Sequence, residues 1–210
     1  MKIYFIRHGE TDWNKVRKLQ GKSDIPLNAF GIHLAEETGK GLKGIQFDAA
    51  YTSPLTRAKE TARLVLGDRK VTLIEDERLE EMGFGIYEGL CCKEDHLEIP
   101  DPEFLNFFHA PEKYHAPEGG ETFAELLRRT GDFLESLKKE EFEAKQTILV
   151  STHGAALCAI LSHIKGHTLS QFWGNGVQKN CAVTIAVLEN GEYRIEEEGI
   201  TYYQDEVKPW

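Results

Sequence analysis

The residues best suited to chemistry in this chain come as two His-Gly pairs. His8-Gly9 closes the run IYFIRHG (3–9), and His153-Gly154 follows the strand-like run LVST (149–152). Each pair comes after apolar, strand-forming residues, and each glycine lets the backbone turn tightly and a ligand approach. Arg7 stands beside the first histidine, and Arg57 falls in the first turn of the segment SPLTRAKETARLVLG (53–67). Two guanidiniums, two imidazoles and the N–H groups of two helix starts describe an anion site. Phosphate suits it best, because arginine grips its oxygens in a two-pronged fork. A neutral imidazole is also a nucleophile near pH 7, and its phosphorylated form passes the phosphoryl group on. The departing alkoxide then needs a proton. Glu80 and Glu81, in ERLEEMGFGIYEGL (77–90), are the acids placed to give it, and residue type alone does not choose between them.

Groups so far apart in sequence must be gathered by the elements that carry them. Lys2 to Ile6 reads as a buried strand, and residues 27–42 carry apolar positions at helical intervals (Leu27, Phe30, Leu34, Leu42). A strand over 47–53 leads into a helix with Ser53 as N-cap, Pro54 at the first helical position and Gly67 as the stop. Residues 71–74 read as a third strand, and 76–120 as irregular, rich in acid, Gly and Pro. A helix follows over 122–142, opened by Thr122 and Glu125 in capping-box spacing and apolar along Leu126, Leu127, Phe133, Leu134 and Leu137. A fourth strand spans 146–152 and a buried helix 153–164. Residues 181–200 form a hairpin around Asn190-Gly191, a type I′ turn signal. This alternation predicts an α/β fold: a three-layer α/β/α sandwich with a mainly parallel, mixed sheet. We expect one domain over 1–210, with 90–120 as an insertion covering the site. In such sheets ligands bind beyond the carboxyl ends of the strands, where both His-Gly pairs fall.

Composition narrows the partners. The chain has 210 residues, 40% of them hydrophobic, and a formal net charge of −10. That balance disfavours nucleic acid and anionic membrane surfaces, but leaves room for a local basic pocket that takes a small anion. No stretch reaches the roughly 18 apolar residues of a membrane span, and Ile3 to Ile6 is too short for the core of a secretory signal. The four cysteines show no disulfide spacing: Cys91 and Cys92 are adjacent, Cys158 sits in a helical pattern and Cys181 opens an apolar run. Reduced thiols and a cytoplasmic location are the expectation.

Taken together, the blocks RHGETDWN, SPLTRAKET, LEEMGFGIYEG, GGET (119–122) and STHGAALCAIL resemble the histidine phosphatase superfamily, the phosphoglycerate-mutase-like proteins, in the family's order. The resemblance runs from residue 3 to about 165 and continues into the closing strands. It implies His8 as the phosphorylated nucleophile, with Arg7, Arg57 and His153 holding the phosphoryl oxygens. It implies Glu81 as the proton donor and Asn14 as a further phosphate contact. Backbone N–H groups at Gly154 and Ala155 are expected on the phosphate, with substrate contact by Glu121 or Thr122 a weaker expectation. The implied reaction needs no metal and no cofactor, its partner is a small phosphorylated substrate, and a homodimer is compatible with it.

Other patterns do not qualify. GKGLKG (39–44) has dinucleotide-motif spacing, but follows a helix and precedes a strand, the reverse of what that motif needs. HIKGH (163–167) is broken by Gly166 at a helix end, and His109 and His115 show no metal pattern. Taken singly, Glu80 and Glu88 read as solvated loop acids. The resemblance covers hydrolases and mutases alike. A mutase acting on phosphorylated carboxylates needs extra cations over its site. Residues 91–118 instead offer Lys93 and Lys113 against Glu94, Asp95, Glu98, Asp101, Glu103, Glu112 and Glu118, together with Phe104, Phe107, Phe108 and Tyr114. The reading is a phosphatase of small phosphomonoesters working through a phosphohistidine. Its alternatives are a cofactor-dependent phosphoglycerate mutase, a dedicated enzyme such as an alpha-ribazole phosphatase, or an inactive binding module. The last would lack His8, Arg57 or His153, and none is lost.

Overall fold

Alternation along the strands sets the layers. In the computed structural model, which describes residues 1–140 and 146–207, Tyr4 and Ile6 face one apolar cluster and Ile3 and Phe5 the other. Leu149 lies in the first cluster and Ile148 and Val150 in the second, so the period-two pattern of a strand covered on both faces is repeated. Each fully buried side chain of this size contributes about 1.5–3 kcal/mol.

The strands are β1 (Lys2–Arg7), β2 (Ala49–Thr52), β3 (Leu73–Glu75), β4 (Thr147–Thr152), β5 (Val183–Glu189) and β6 (Glu192–Ile200). They form one six-stranded sheet in the order β3-β2-β4-β1-β5-β6. The β3-β2, β2-β4 and β4-β1 pairs are parallel, whereas β1-β5 and β5-β6 are antiparallel, which makes the sheet mixed. Asn190 and Gly191, both at positive φ, make the turn between β5 and β6. The helices are α1 (Asp12–Lys15), α2 (Ala29–Gly41), α3 (Thr56–Leu66), α4 (Asn106–His109), α5 (Phe123–Glu140) and α6 (Gly154–Lys165). Leu34, Ala62 and Val65 pack α2 and α3 on one face, and Phe133, Leu137, Leu157 and Ile160 pack α5 and α6 on the other.

A third apolar cluster lies under residues 90–120. Ile99, Phe104 and Phe107 pack there against Met82, Phe84, Phe123 and Phe172. The acids of the same segment stay outside: Glu94 pairs with His109 and Asp95 with Lys93, all well exposed. All four cysteines are free and buried.

Some boundaries differ from the sequence expectation. The helix expected from Ser53-Pro54 begins at Thr56, with Leu55 as a cap that makes no side-chain bond. Its N-terminus is served from a distance: the Asp24 carboxylate accepts the Thr56 N–H at 2.7 Å and the Thr56 hydroxyl at 2.7 Å. The third strand runs 73–75 rather than 71–74, and the hairpin's first strand starts at Val183 because Cys181 turns the chain with φ 56°. The expected end of the 122–142 helix falls partly outside the described residues.

Candidate active site

The β1-β4 register places the two histidines together. Arg7 pairs with Thr152, so His8 and His153 leave the sheet side by side at its carboxyl edge. The His8 N–H donates to the Thr152 carbonyl at 2.9 Å, and the two ring centroids are 5.1 Å apart. Gly9 is required, but for packing rather than for ligand access: a Cβ there would lie 2.5 Å from the Gly31 carbonyl oxygen of α2. Residues 178–182 brace the other side. Arg7 Nη1 donates to the Gln178 carbonyl, Cys181 N–H to the Arg7 carbonyl, and Asn180 Nδ2 to the His8 carbonyl at 2.9 Å.

Hydrogen bonding fixes the state of both rings. His8 Nδ1 lies 2.6 Å from the Gly9 carbonyl, which only accepts, so Nδ1 carries the proton and neutral Nε2 keeps its lone pair. Arg57 Nε donates to His153 Nδ1 at 3.2 Å, so the proton of neutral His153 is on Nε2. That Nε2 and Arg7 Nε are buried and have no hydrogen-bond partner. The two unpartnered donors sit on neighbours of His8: Arg7 precedes it in the chain, and the His153 ring centroid is 5.1 Å from its own.

Burial shifts these groups in consistent directions. It holds His8 well below its usual pKa, with Arg57 and Arg7 adding to the effect and the Gly9 bond opposing it. Burial does the same for His153, helped by Arg57 and His8. Arg7 and Arg57 are lowered to about 10 by burial, against the attraction of Glu81, and stay charged at neutral pH.

Glu81 and Glu80 part company here. Glu81 Oε2 accepts the Ala155 N–H at 3.2 Å, and Oε1 accepts the N–H groups of Ala156 at 3.1 Å and Met82 at 2.9 Å. Its carboxylate therefore rests on the N-terminus of α6, where helix dipole and free N–H groups favour an anion. Glu80 turns away into an ion pair with Lys22 at 3.1 Å. Gly154 allows the approach, since a Cβ there would lie 3.0 Å from Val177 Cγ1 and 3.4 Å from Glu81 Oε2. The start of α3, expected to contribute as well, is filled by Asp24.

A narrow cavity, partly open to solvent, is lined by Arg7, His8, Asn14, Arg57, Glu81, Gly154 and Ala155, all expected from sequence. Asn14 both caps and lines: its Oδ1 accepts from Thr11 N–H and hydroxyl, which leaves the Nδ2 arm for the cavity. Arg57 also ties down the rim, donating to the carbonyls of Ser23 at 2.8 Å and Gly21 at 2.7 Å.

Glu121 and Thr122 do not line this cavity, and neither does His153, whose fully buried ring lies 5.1 Å from that of His8. Both Glu121 oxygens are engaged by Arg129, at 2.6 and 2.8 Å, and Thr122 is committed to its capping box with Glu125. Glu88 is not a solvated loop acid either: it gathers the N–H groups of Lys22, Ser23 and Phe84. Sequence reasoning missed Leu19, Gln20, Trp173 and Val177, which also line the cavity. Gln20 had a signal in its place close after the RHGETDWN block. Trp173 had none.

Among the described residues, no group of three or more His, Cys, Asp or Glu could hold a metal ion, and no helix is long and apolar enough to cross a membrane. Comparison with known proteins points one way. The model of the histidine phosphatase superfamily (branch 1) matches residues 3–201. An uncharacterized phosphatase, PhoE, of Bacillus subtilis is 36% identical over 164 residues, covering 78% of this chain and 77% of its own. A 2,3-bisphosphoglycerate-dependent phosphoglycerate mutase of Actinobacillus succinogenes is 33% identical, covering 79% of this chain and 86% of its own. The solved structure of Bacillus stearothermophilus YhfR superposes with a TM-score of 0.88 at 33% identity, over 96% of this chain and 98% of that one.

Proposed function

From the premise that the chain belongs to branch 1 of the histidine phosphatase superfamily, we propose that it hydrolyses small phosphomonoesters with an uncharged or apolar organic part, through a phosphohistidine. The observation that carries this reading is the pairing of a lone pair on His8 Nε2 with orphaned donors on Arg7 and His153. Nε2 attacks phosphorus in line while the Arg7 and Arg57 guanidiniums and His153 Nε2–H stabilise charge on the equatorial oxygens. As the phosphoryl group takes the N–H groups at the start of α6, the Glu81 carboxyl moves to the leaving oxygen and, in its protonated form, gives it a proton. Alcohol departs, and the Nε2–P bond is formed. Water then loses a proton to the Glu81 carboxylate and attacks phosphorus, breaking that bond to release phosphate and free His8.

The lining supports hydrolysis over mutase action. Arg7 and Arg57 are its only lysine or arginine side chains among the described residues, and both belong to the phosphoryl end. A second anionic group on the substrate finds no cation of its own. The test is capture of ³²P-labelled protein whose label is stable to alkali and lost in acid, as a phosphohistidine requires, followed by steady-state turnover over a phosphomonoester panel that includes 3-phosphoglycerate with bisphosphoglycerate primer. Labelling of wild type but not of His8→Ala, with release of inorganic phosphate, is expected. Wild-type hydrolysis by the His8→Ala protein, or transfer to 3-phosphoglycerate outpacing hydrolysis, overturns the reading.

A further inference from the structure

Phe108 and Trp173 have two working faces. Both line the catalytic cavity, and both also line a groove on the outer surface that includes Lys165 and His167. The pair is a thin partition between the two spaces, so it sets how far a leaving group can extend. Phe104, Phe107, Phe123 and Phe172 are buried and account for the core beneath the 90–120 segment, whereas Phe108 and Trp173 are only half-buried. Phe108 and Trp173 pack against that core on one side and present their remaining surface to the two spaces.

The partition is held in place. The Trp173 indole N–H donates to the Phe107 carbonyl at 2.7 Å, and Phe107 meets the Trp173 ring edge-on at 4.9 Å. Phe108 and Trp173 lie nearly parallel, 28° apart with centroids 6.3 Å from one another. Fixed rings offer a leaving group π faces and edges, which suit another flat ring and give a hydroxylated or charged alcohol nothing to bond. Arg7 and Arg57, the lining's Lys or Arg side chains among the described residues, serve the phosphoryl end, so a carboxylate on the alcohol finds no cation.

We infer that Phe108 and Trp173 are the specificity-determining residues of this site and select phosphomonoesters of flat, uncharged, aryl-bearing alcohols. This rests on the phosphomonoesterase reading above, and deepens it to a substrate class read by ring contact.

The test is a matched pair, benzyl phosphate and cyclohexylmethyl phosphate. Their alcohols have the same carbon number and similar acidity, and differ in flatness. Wild type is expected to favour benzyl phosphate in kcat/KM by roughly 3- to 10-fold, the size of one aromatic contact. Trp173→Leu and Phe108→Leu should each bring that ratio toward one, mainly through KM, while Trp173→Phe keeps it. Phe108→Leu is the safeguard if Trp173→Leu does not fold, because it leaves the Trp173 N–H bond to the Phe107 carbonyl in place. A wild-type ratio near one, or a ratio unchanged in both leucine variants, overturns the inference and leaves the phosphatase reading standing. Absence of hydrolysis of either ester, with no phosphohistidine formed, overturns both.

Discussion

Glu81 Oε2 accepts the backbone N–H of Ala155 at 3.2 Å, so the group expected to donate a proton rests where a phosphoryl oxygen is expected to bind. With Ala156 and Met82 also donating to Oε1, the carboxylate acts as a built-in anion at the start of α6, within reach of Arg7 and Arg57. On the proposed mechanism, substrate must displace it. Displacement frees the carboxyl to serve the leaving oxygen, which couples phosphate binding to the placement of the acid.

Glu81→Gln should therefore bind inorganic phosphate more tightly, by about 10-fold, because the resident charge is gone while size is kept. Turnover of benzyl phosphate should fall by roughly 10²- to 10⁴-fold, the usual worth of a general acid-base. Formation of phosphohistidine from p-nitrophenyl phosphate should suffer less, since p-nitrophenolate leaves without a proton, and the phosphoenzyme should accumulate because its hydrolysis has lost a base. Calorimetry and rapid quench measure the two effects; weaker phosphate binding by the variant counts against displacement.

Arg57→Lys keeps the charge and loses the fork. Arg57 is fully buried and ties His153 Nδ1, the Ser23 carbonyl and the Gly21 carbonyl to one guanidinium. A lysine ammonium cannot span all three, and buried acceptors left unpaired are costly. Urea unfolding should show a loss of about 2–4 kcal/mol, and kcat should fall at least roughly 10²-fold as His153 loses the bond that orients it.

Glu88→Gln should weaken the same rim from the other side. Each carboxylate oxygen of Glu88 takes two donors: Lys22 and Phe84 N–H on one, Ser23 N–H and hydroxyl on the other. An amide must turn its NH₂ toward one of those pairs. A loss of about 2 kcal/mol in urea unfolding is expected, with weaker phosphate binding, because Gly21 and Ser23 hold Arg57 through their carbonyls.

What the sequence revealed and what it hid follow from the distance over which each contact acts. His8, Arg7, His153 and Gly154 were legible because strand end, histidine and glycine are neighbours in the chain, and a parallel sheet brings strand ends together. The Thr122-Glu125 capping box was legible for the same local reason, and that commitment keeps Thr122 from the substrate. Ser53 sits too early to cap the helix: its Oγ accepts the Leu55 N–H at 3.2 Å, while Asp24, from a different loop, holds the Thr56 N–H. The choice of Glu81 over Glu80 rested on family resemblance, and in space it depends on Lys22 and on the start of α6. Trp173 reaches the cavity through its bond to Phe107, a contact with no periodicity or local motif to announce it.

The two buried imidazoles should also leave a signature in stability. Burial keeps His8 and His153 neutral well below the ordinary histidine pKa, whereas in the unfolded chain they titrate near 6.5. Above pH 6.5 neither state binds the proton, and these groups make no pH-dependent contribution. As pH falls below 6.5 the unfolded chain takes up protons that the folded protein does not, so stability falls. The slope is about 1.4 kcal/mol per pH unit for each histidine, until the folded-state pKa is reached. Carboxylates add their own dependence, which cancels when wild type is compared with His8→Ala. Urea unfolding between pH 7.5 and 5.5, in buffer free of phosphate, should show the variant losing less stability than wild type. The gap should open below pH 6.5 by about 1.4 kcal/mol per pH unit. Parallel losses in the two proteins across that window would mean that His8 binds a proton in the folded state, and then its Nε2 lone pair would not be free for phosphorus at mildly acidic pH.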